Sequence, residues 1–384
     1  MKKPLARFSN LSRVALESHF RTAMFQKESA YTAKAFLTWA RDYLRYFLLP
    51  KHKFIGYSGP DNGVYGFPTN SKIALAGDWG TGTEEAAQVG ERIQEFGADY
   101  TIHLGDVYYV GNTPEIDENF LGVSSDEGEF EPVRWPRGGI GSFSLNGNHE
   151  MYSNGNGYFD VLLPMLGQKA SFFCLQNKYW KIVALDTGYY STGLFASAKL
   201  PKPLMEWLDK EVFAKDTGQG IILLSHHQPW TAFDYEKGYP AAARQLWEFI
   251  HRPVLWFWGH EHKMILYDKF SVKGSIEAYG RCIGHGGMPI NICYAPNAKK
   301  APWQVYDMRS YPNSEGLHVG FNGHAELEFT ERTLGVTYKD LNGKFLLSES
   351  WETTPYGILH GGINRQPIDL GLMTNFAPAM RVVK

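Results

Sequence analysis

Short apolar runs, punctuated by glycine and polar turn residues, divide the chain between residues 70 and 340 into strands and helices. Residues 73–76 and 100–104 read as buried strands. Residues 84–96 between them carry apolar side chains at helical spacing, which predicts a βαβ unit. Further strands are predicted at 143–145, 172–175, 180–185, 221–224 and 254–258, with helices at 204–213 and 241–250. Alternating runs at 325–329 and 334–338 predict antiparallel strands, and the chain after Tyr356 reads as irregular. Residues 57–70 are rich in Gly, Pro and Asn and read as a linker or irregular loop. Upstream, Phe36, Leu37, Ala40, Tyr43, Leu44, Phe47 and Leu48 recur at helical spacing, with Lys34, Arg41 and Arg45 on the remaining positions and Pro50 as the stop. The expected organisation is a basic, largely helical segment over 1–65, an α/β domain over 66–355, and a tail over 356–384 packed on that domain.

Composition narrows the class. At 384 residues and 43% hydrophobic content, the chain can bury a sizeable core. A net charge of -2 and a pI of about 6.7 give no overall field for polyanions, so nucleic acid is not an expected partner and a small substrate is. The three cysteines form no CxxC pair and suit reduced, buried thiols. No run approaches the length of a membrane span, and Arg7, Arg13 and Glu17 interrupt the apolar stretch a signal peptide needs, which predicts a cytoplasmic protein. Charge is unevenly placed. Residues 1–53 hold eleven Lys or Arg against three Asp or Glu, and the basic helix there suits packing on its own domain, or contact with an anionic membrane or a partner. Residues 115–131 hold seven acids and no base, a pattern typical of a solvated loop.

Five of the predicted strands end in polar groups: Asp78, Asp106, Asn148, His226 with His227, and His260 with His262. Ligands of open α/β sheets bind at these carboxyl ends. Five such ends in one sheet are hard to explain as turns, because burying unpaired charge costs several kcal/mol, and metal would relieve that cost. The donors are oxygen and nitrogen without thiolate, and too numerous for one tetrahedral zinc. Two metals roughly 3.5–4 Å apart would use them fully. A carboxylate can bridge two cations and a neutral imidazole cannot, so one Asp is expected to be shared.

The series Gly77-Asp78, Gly105-Asp106, Gly147-Asn148-His149-Glu150, His226 or His227, and Gly259-His260-Glu261-His262 resembles the signature of the calcineurin-like metallophosphoesterases over roughly residues 70–290. The resemblance implies a four-layer αββα sandwich of two mixed β-sheets flanked by helices, of the metallophosphoesterase kind. Most of that family carries His where this chain has Gly80. Gly77-Asp78-Trp79-Gly80 with Gly105-Asp106-x-x-Tyr109 resembles instead the purple acid phosphatase branch, where a tyrosinate replaces that histidine. The resemblance puts Asp78, Asp106, Tyr109 and His262 on one metal, and Asp106, Asn148, His226 and His260 on the other. Tyr109, rather than Tyr108, fits the family spacing, and its alternative is a packing aromatic. His226 ends its strand directly, while counting back from Pro229 selects His227; whichever is not a ligand is left for substrate or supporting contacts. His149 would face the phosphate, and His285 lies on a glycine-rich loop of the kind that can reach a site. The implied cofactors are two metal ions, Fe with Fe, Mn or Zn. The implied activity is hydrolysis of small phosphate esters by hydroxide generated at the metals, with monoesters leading and diesters second. A non-catalytic binding scaffold on the same fold is the alternative of another class.

Overall fold

A computed structural model describes residues 3, 5, 49–124, 130–192, 196–215, 217–288, 295–312 and 318–365. The basic helix expected over Phe36 to Leu48 lies outside them, as do Cys293 and residues 125–129 of the acidic run.

After β1 (Val64–Gly66) and β2 (Asn70–Ala76), α1 (Glu84–Phe96) returns the chain to β3 (Tyr100–His103), and α2 (Thr113–Asn119) precedes β4 (Gly141–Ser144). Next come α3 (Asn148–Met151), wide turns at Tyr158–Leu162, α4 (Leu163–Leu166), β5 (Phe173–Gln176) and β6 (Trp180–Ala184). The helix α5 (Lys202–Trp207), continued by wide turns over Leu208–Val212, leads to β7 (Gly220–Ser225), and α6 (Ala241–Leu246) leads to β8 (Val254–Trp258). The chain continues through β9 (Met264–Phe270), β10 (Ala278–Ile283), β11 (Trp303–Tyr306), β12 (Ser310–Pro312) and β13 (His318–Gly320). It closes with the long antiparallel strands β14 (Gly323–Thr330), β15 (Thr333–Asp340), β16 (Phe345–Thr354) and β17 (Gly357–Arg365).

Two large mixed sheets result. One has the order β17-β16-β15-β14-β2-β3-β4 and the other β1-β5-β6-β7-β8-β10-β9-β11. Period-2 alternation on strands that are apolar on both sides sends one set of side chains to each face. Ile73, Leu75 and Ile102 of one sheet meet Ile182, Ile222, Leu224, Leu255 and Phe257 of the other in a shared core. Val183, Leu223 and Trp256 face outward under α5 and α6, and Ala74 and Ala76 face outward under α1. The expected four-layer αββα sandwich is therefore observed. The first crossover shows why its sequence folds locally. Thr83 caps α1 by accepting a hydrogen bond from the Ala86 amide, Glu84 and Glu85 favour its first turn, and Gly97 ends it in the left-handed conformation (φ 64°).

One polar cluster joins the sheets inside this core. Arg281 on β10 donates from Nε and Nη2 to Glu349 on β16, at 2.8 and 2.5 Å, and both side chains are fully buried. Tyr338 Oη donates to Glu349 Oε2 at 2.8 Å, and His360 Nε2 lies 3.2 Å from Oε1. Burial alone would raise the Glu349 carboxyl, but the Arg281 guanidinium pulls it down to about 2.

Some expectations are corrected. The stretch directly after Tyr356 is not irregular, because β17 pairs with β16 over Gly357–Arg365, while the rest of the tail, residues 366–384, lies outside the described residues. The β17 pattern was obscured by Gly361, Gly362 and a register shift at Ser350/Trp351. The segment 57–70 contains β1, which pairs with β5. The acidic run is not wholly solvated, since Glu115 is half-buried and accepts hydrogen bonds from the backbone amides of Tyr109 and Val110. Cys174 and Cys282 are free, buried thiols, as expected. Among the described residues no helix is long and apolar enough to cross a membrane.

Candidate metal centre

Asp78, Asp106 and Asn148 lie just beyond β2, β3 and β4, while His226 and His260 lie just beyond β7 and β8. The predicted strand ends thus come from both sheets, not from one, and the site straddles the seam between them. Sequence alone could not divide them, since a buried parallel strand reads the same whichever sheet it joins. Asp78, Asp106 and His260 hold left-handed backbone conformations, with φ of 58°, 73° and 65°. Non-glycine residues pay roughly 1–3 kcal/mol each for such backbone, and it is commonest at functional sites. The motif glycines let the groups crowd together. A Cβ on Gly147 would stand 2.0 Å from Asp106 Oδ1, and one on Gly259 would stand 2.5 Å from Asp78 Oδ2.

The side chains converge. Metal-ligating atoms of Asp78, Asp106 and His226 lie within 4.8 Å of one another, as do those of His226, His227 and His260. His226 Nδ1 faces the Leu104 carbonyl at 3.0 Å, so it carries a hydrogen there. Its Nε2 then meets Asp106 Oδ2, Asn148 Oδ1 and His260 Nδ1, each at 3.2 Å. One hydrogen cannot serve three such partners, and a donor set of this kind is suited to a cation. On the other flank, His262 Nε2 lies 3.4 Å from Asp78 Oδ1, and the His260 amide donates to Asp78 Oδ2 at 2.7 Å.

A tyrosine hydroxyl at this flank comes from Tyr108, the neighbour of the Tyr109 that the family spacing selects. Tyr108 Oη lies 2.8 Å from Asp78 Oδ1, 3.3 Å from Asp106 Oδ2 and 2.9 Å from His262 Nε2. Tyr109 supports the site through its backbone. Its carbonyl faces His149 Nδ1 at 2.6 Å, and its amide donates to Glu115 Oε1 at 2.6 Å. His149 is thereby turned so that Nε2 looks toward Asp106 Oδ2, 3.8 Å away, while its amide donates to Asp106 Oδ1 at 3.0 Å.

Electrostatics follow this arrangement. Burial opposes charge on Asp106, but the imidazoles of His226, His149 and His260 hold its carboxyl well below the usual range. Burial likewise opposes charge on His226, and Asp106 pushes it up to about 9. His227 is driven well below its ordinary value, first by burial and then by His260 and His226, so its ring is neutral. It packs against His260 with centroids 4.4 Å apart and lies 3.2 Å from Thr187 Oγ1. His285 is buried, and burial lowers it to about 3. Its loop supports the site through the backbone, where Gly286 and Met288 amides donate to the Gly77 and Asp78 carbonyls.

Three supporting residues were given no role by sequence reasoning. Glu150 accepts from the amides of Asp106, Val107 and Gly147 at 3.2, 2.9 and 2.9 Å, fixing the turn that carries Asp106. Its carboxyl is raised to about 8, by burial first and then by the charge of Asp106. Asp186 accepts from Asn146 and from the Tyr189 amide, and Thr187 anchors His227. The available signals were the Asn-His-Glu order of the third motif and the Asp-Thr-Gly that follows β6.

A fold of two mixed sheets with metal-ligating side chains at their carboxyl ends defines a metallophosphoesterase-like protein. A family model for the calcineurin-like phosphoesterases matches residues 71–264, and the chain belongs to that family. No curated protein matches the sequence. Among solved structures, the chain is similar to GAP50, the anchor in the inner membrane complex of Plasmodium. That match has 13% identity and a TM-score of 0.45, covering 74% of this chain and 89% of that one. It is similar to PhoD at 12% identity and a TM-score of 0.49, covering 84% and 74%. It also matches Vacuolar Protein Sorting 29 from Cryptosporidium parvum at 10% identity and a TM-score of 0.29, covering 77% and 99%.

Proposed function

We propose that the chain is a dinuclear-metal hydrolase of small phosphomonoesters, of the purple acid phosphatase kind. Asp78, Asp106, Tyr108 and His262 hold one cation, and Asp106, Asn148, His226 and His260 hold the other. The observation that carries this reading is the convergence of Asp78, Asp106 and His226 atoms within 4.8 Å, at the C-terminal ends of strands from both sheets. Family membership over residues 71–264 supports it. Two cations bound there, iron paired with iron, manganese or zinc, supply positive charge and Lewis acidity to a phosphoryl group.

The chain's own residues do the rest. Asp106 offers one oxygen toward His226 and the other to the His149 amide, an orientation suited to sharing between two cations. His149 is locked by the Tyr109 carbonyl so that Nε2 faces the centre, where it holds a proton for the departing ester oxygen. His226 is the ligand of the histidine pair. His227 is neutral and packs at a tilt against His260, which makes it a positioning residue.

The test is metal analysis with visible spectra of the wild type, Tyr108→Phe and Tyr109→Phe. A charge-transfer band lost only in Tyr108→Phe supports a Tyr108 phenolate on ferric iron. A metal-loaded protein with no band in any form overturns the purple acid phosphatase assignment. Less than one metal per chain after supplementation, with no hydrolysis, overturns the enzyme reading. Comparing kcat/KM for phenyl phosphate and diphenyl phosphate decides monoester against diester.

A further inference from the structure

Residues 108–110 form the turn that holds His149 at the metal centre. The Tyr109 carbonyl accepts the hydrogen on His149 Nδ1 at 2.6 Å, and the Tyr108 ring packs against the imidazole with centroids 4.3 Å apart. Two consecutive residues of one turn thus fix the ring, and any shift of the turn moves its Nε2 relative to Asp106. The same turn carries the Tyr108 hydroxyl to Asp78 and His262.

The helix α2 grips this turn from its other side. Glu115, the third residue of the helix, gives one carboxylate oxygen to each of two successive amides, that of Tyr109 at 2.6 Å and that of Val110 at 2.9 Å. Asn119, the last residue of the helix, donates from Nδ2 to the Tyr108 carbonyl at 2.8 Å. The mount is itself fixed, since Asn112 caps α2 by accepting from the Glu115 amide at 3.1 Å, and Ile116 is buried in the core. The peptide unit between Tyr109 and Val110 is a rigid plane whose N–H and C=O point to opposite edges. Its N–H meets Glu115 and its C=O meets His149, so the carboxylate holds one edge of a plane that carries the imidazole on the other. A carboxylate offers an acceptor to both amides, whereas a carboxamide offers one oxygen and turns hydrogens on the second.

We propose that Glu115 is a positioning residue for His149, acting through the backbone of Tyr109 and Val110. The clamp stands on geometry alone, and its catalytic consequence rests on the phosphoesterase reading. Two measurements on the full chain separate them. The first follows the His149 Nδ1 hydrogen by NMR with isotope-labelled histidine, in protein supplemented with diamagnetic zinc, the signal being assigned by its absence in His149→Ala. Its exchange with water should be at least about tenfold faster in Glu115→Gln than in the wild type, the effect of losing a hydrogen bond to a charged group. The second compares phenyl phosphate with para-nitrophenyl phosphate, with metal content measured alongside. Phenolate, the poorer leaving group, takes up a proton as the P–O bond breaks, while para-nitrophenolate departs without one. In Glu115→Gln, kcat for phenyl phosphate should fall about 10²-fold with KM and metal content unchanged, and the loss for para-nitrophenyl phosphate should be at least about tenfold smaller. Glu131→Gln, which removes a charge at an exposed position of the same acidic run, should match the wild type. Asn119→Ala, which frees the Tyr108 carbonyl, should move both readouts in the same direction and carries the test should Glu115→Gln fail to fold. Equal exchange in Glu115→Gln and the wild type overturns the clamp, and equal losses on the two esters overturn the positioning of His149. A wild type that hydrolyses neither ester overturns the phosphoesterase reading and with it the catalytic consequence, while the exchange measurement still decides the clamp.

Discussion

Glu349→Gln removes one charge from the pair buried between the two sheets while keeping the shape of the side chain. The carboxyl sits at about 2 in the folded protein against an ordinary 4.5, because Arg281 lies against it. The folded state therefore takes up this proton less readily than the unfolded one. The stabilisation is fully present above about 4.5 and is lost as the pH falls through about 2. The gap corresponds to roughly 3 kcal/mol. Leaving Arg281 buried without its counter-charge costs roughly 3–5 kcal/mol, so Glu349→Gln should be that much less stable than the wild type at neutral pH. The two proteins should converge as the pH is lowered toward about 3, where the wild-type carboxylate begins to be neutralised. Urea unfolding followed by circular dichroism and tryptophan fluorescence across that range measures both effects. Arg281→Met/Glu349→Leu, which removes both charges, should recover most of the stability lost by the single variant. The reasoning is refuted if Glu349→Gln is as stable as the wild type at neutral pH, or if their difference is the same at about pH 3.

Two further outcomes concern the centre. In Gly147→Ala the new methyl would stand 2.0 Å from Asp106 Oδ1, so the carboxylate must turn away. kcat/KM should fall about 10²-fold with loss of bound metal, and unchanged kinetics would show that Asp106 does not act from this position. His149→Ala should lower kcat by about 10²–10⁴-fold while metal content stays at the wild-type level, as measured by turnover and metal analysis together. Loss of metal in that variant would assign His149 a structural role instead.

Much of this architecture was legible in the chain. The expected helix 84–96 and strand 254–258 match α1 and β8, since capping residues and a bounded apolar run are local signals. The order of Asp78, Asp106, Asn148, His226 and His260 was likewise readable, because each follows an apolar run that must end somewhere polar. What local signals could not supply was the partner across space. Family spacing selects Tyr109 over its neighbour, and only the fold of the turn shows the Tyr108 hydroxyl reaching Asp78 and the Tyr109 carbonyl meeting His149. Glu115 looked like part of a solvated acidic run, because nothing near it in sequence shows that backbone amides of Tyr109 and Val110 wait for its carboxylate. Glycines and an unequal register hid β17 in the same way.

The left-handed backbone of Asp78, Asp106 and His260 sets folding stability and chemistry at odds. At each of these positions glycine would adopt the observed conformation without steric cost, and each replacement would delete a side chain of the proposed metal centre. A population of variants sorted only for resistance to heat would drift toward glycine there, gaining robustness while its members fall silent one ligand at a time. The aspartates and the histidine at these turns can be held only by selection for what the assembled centre does.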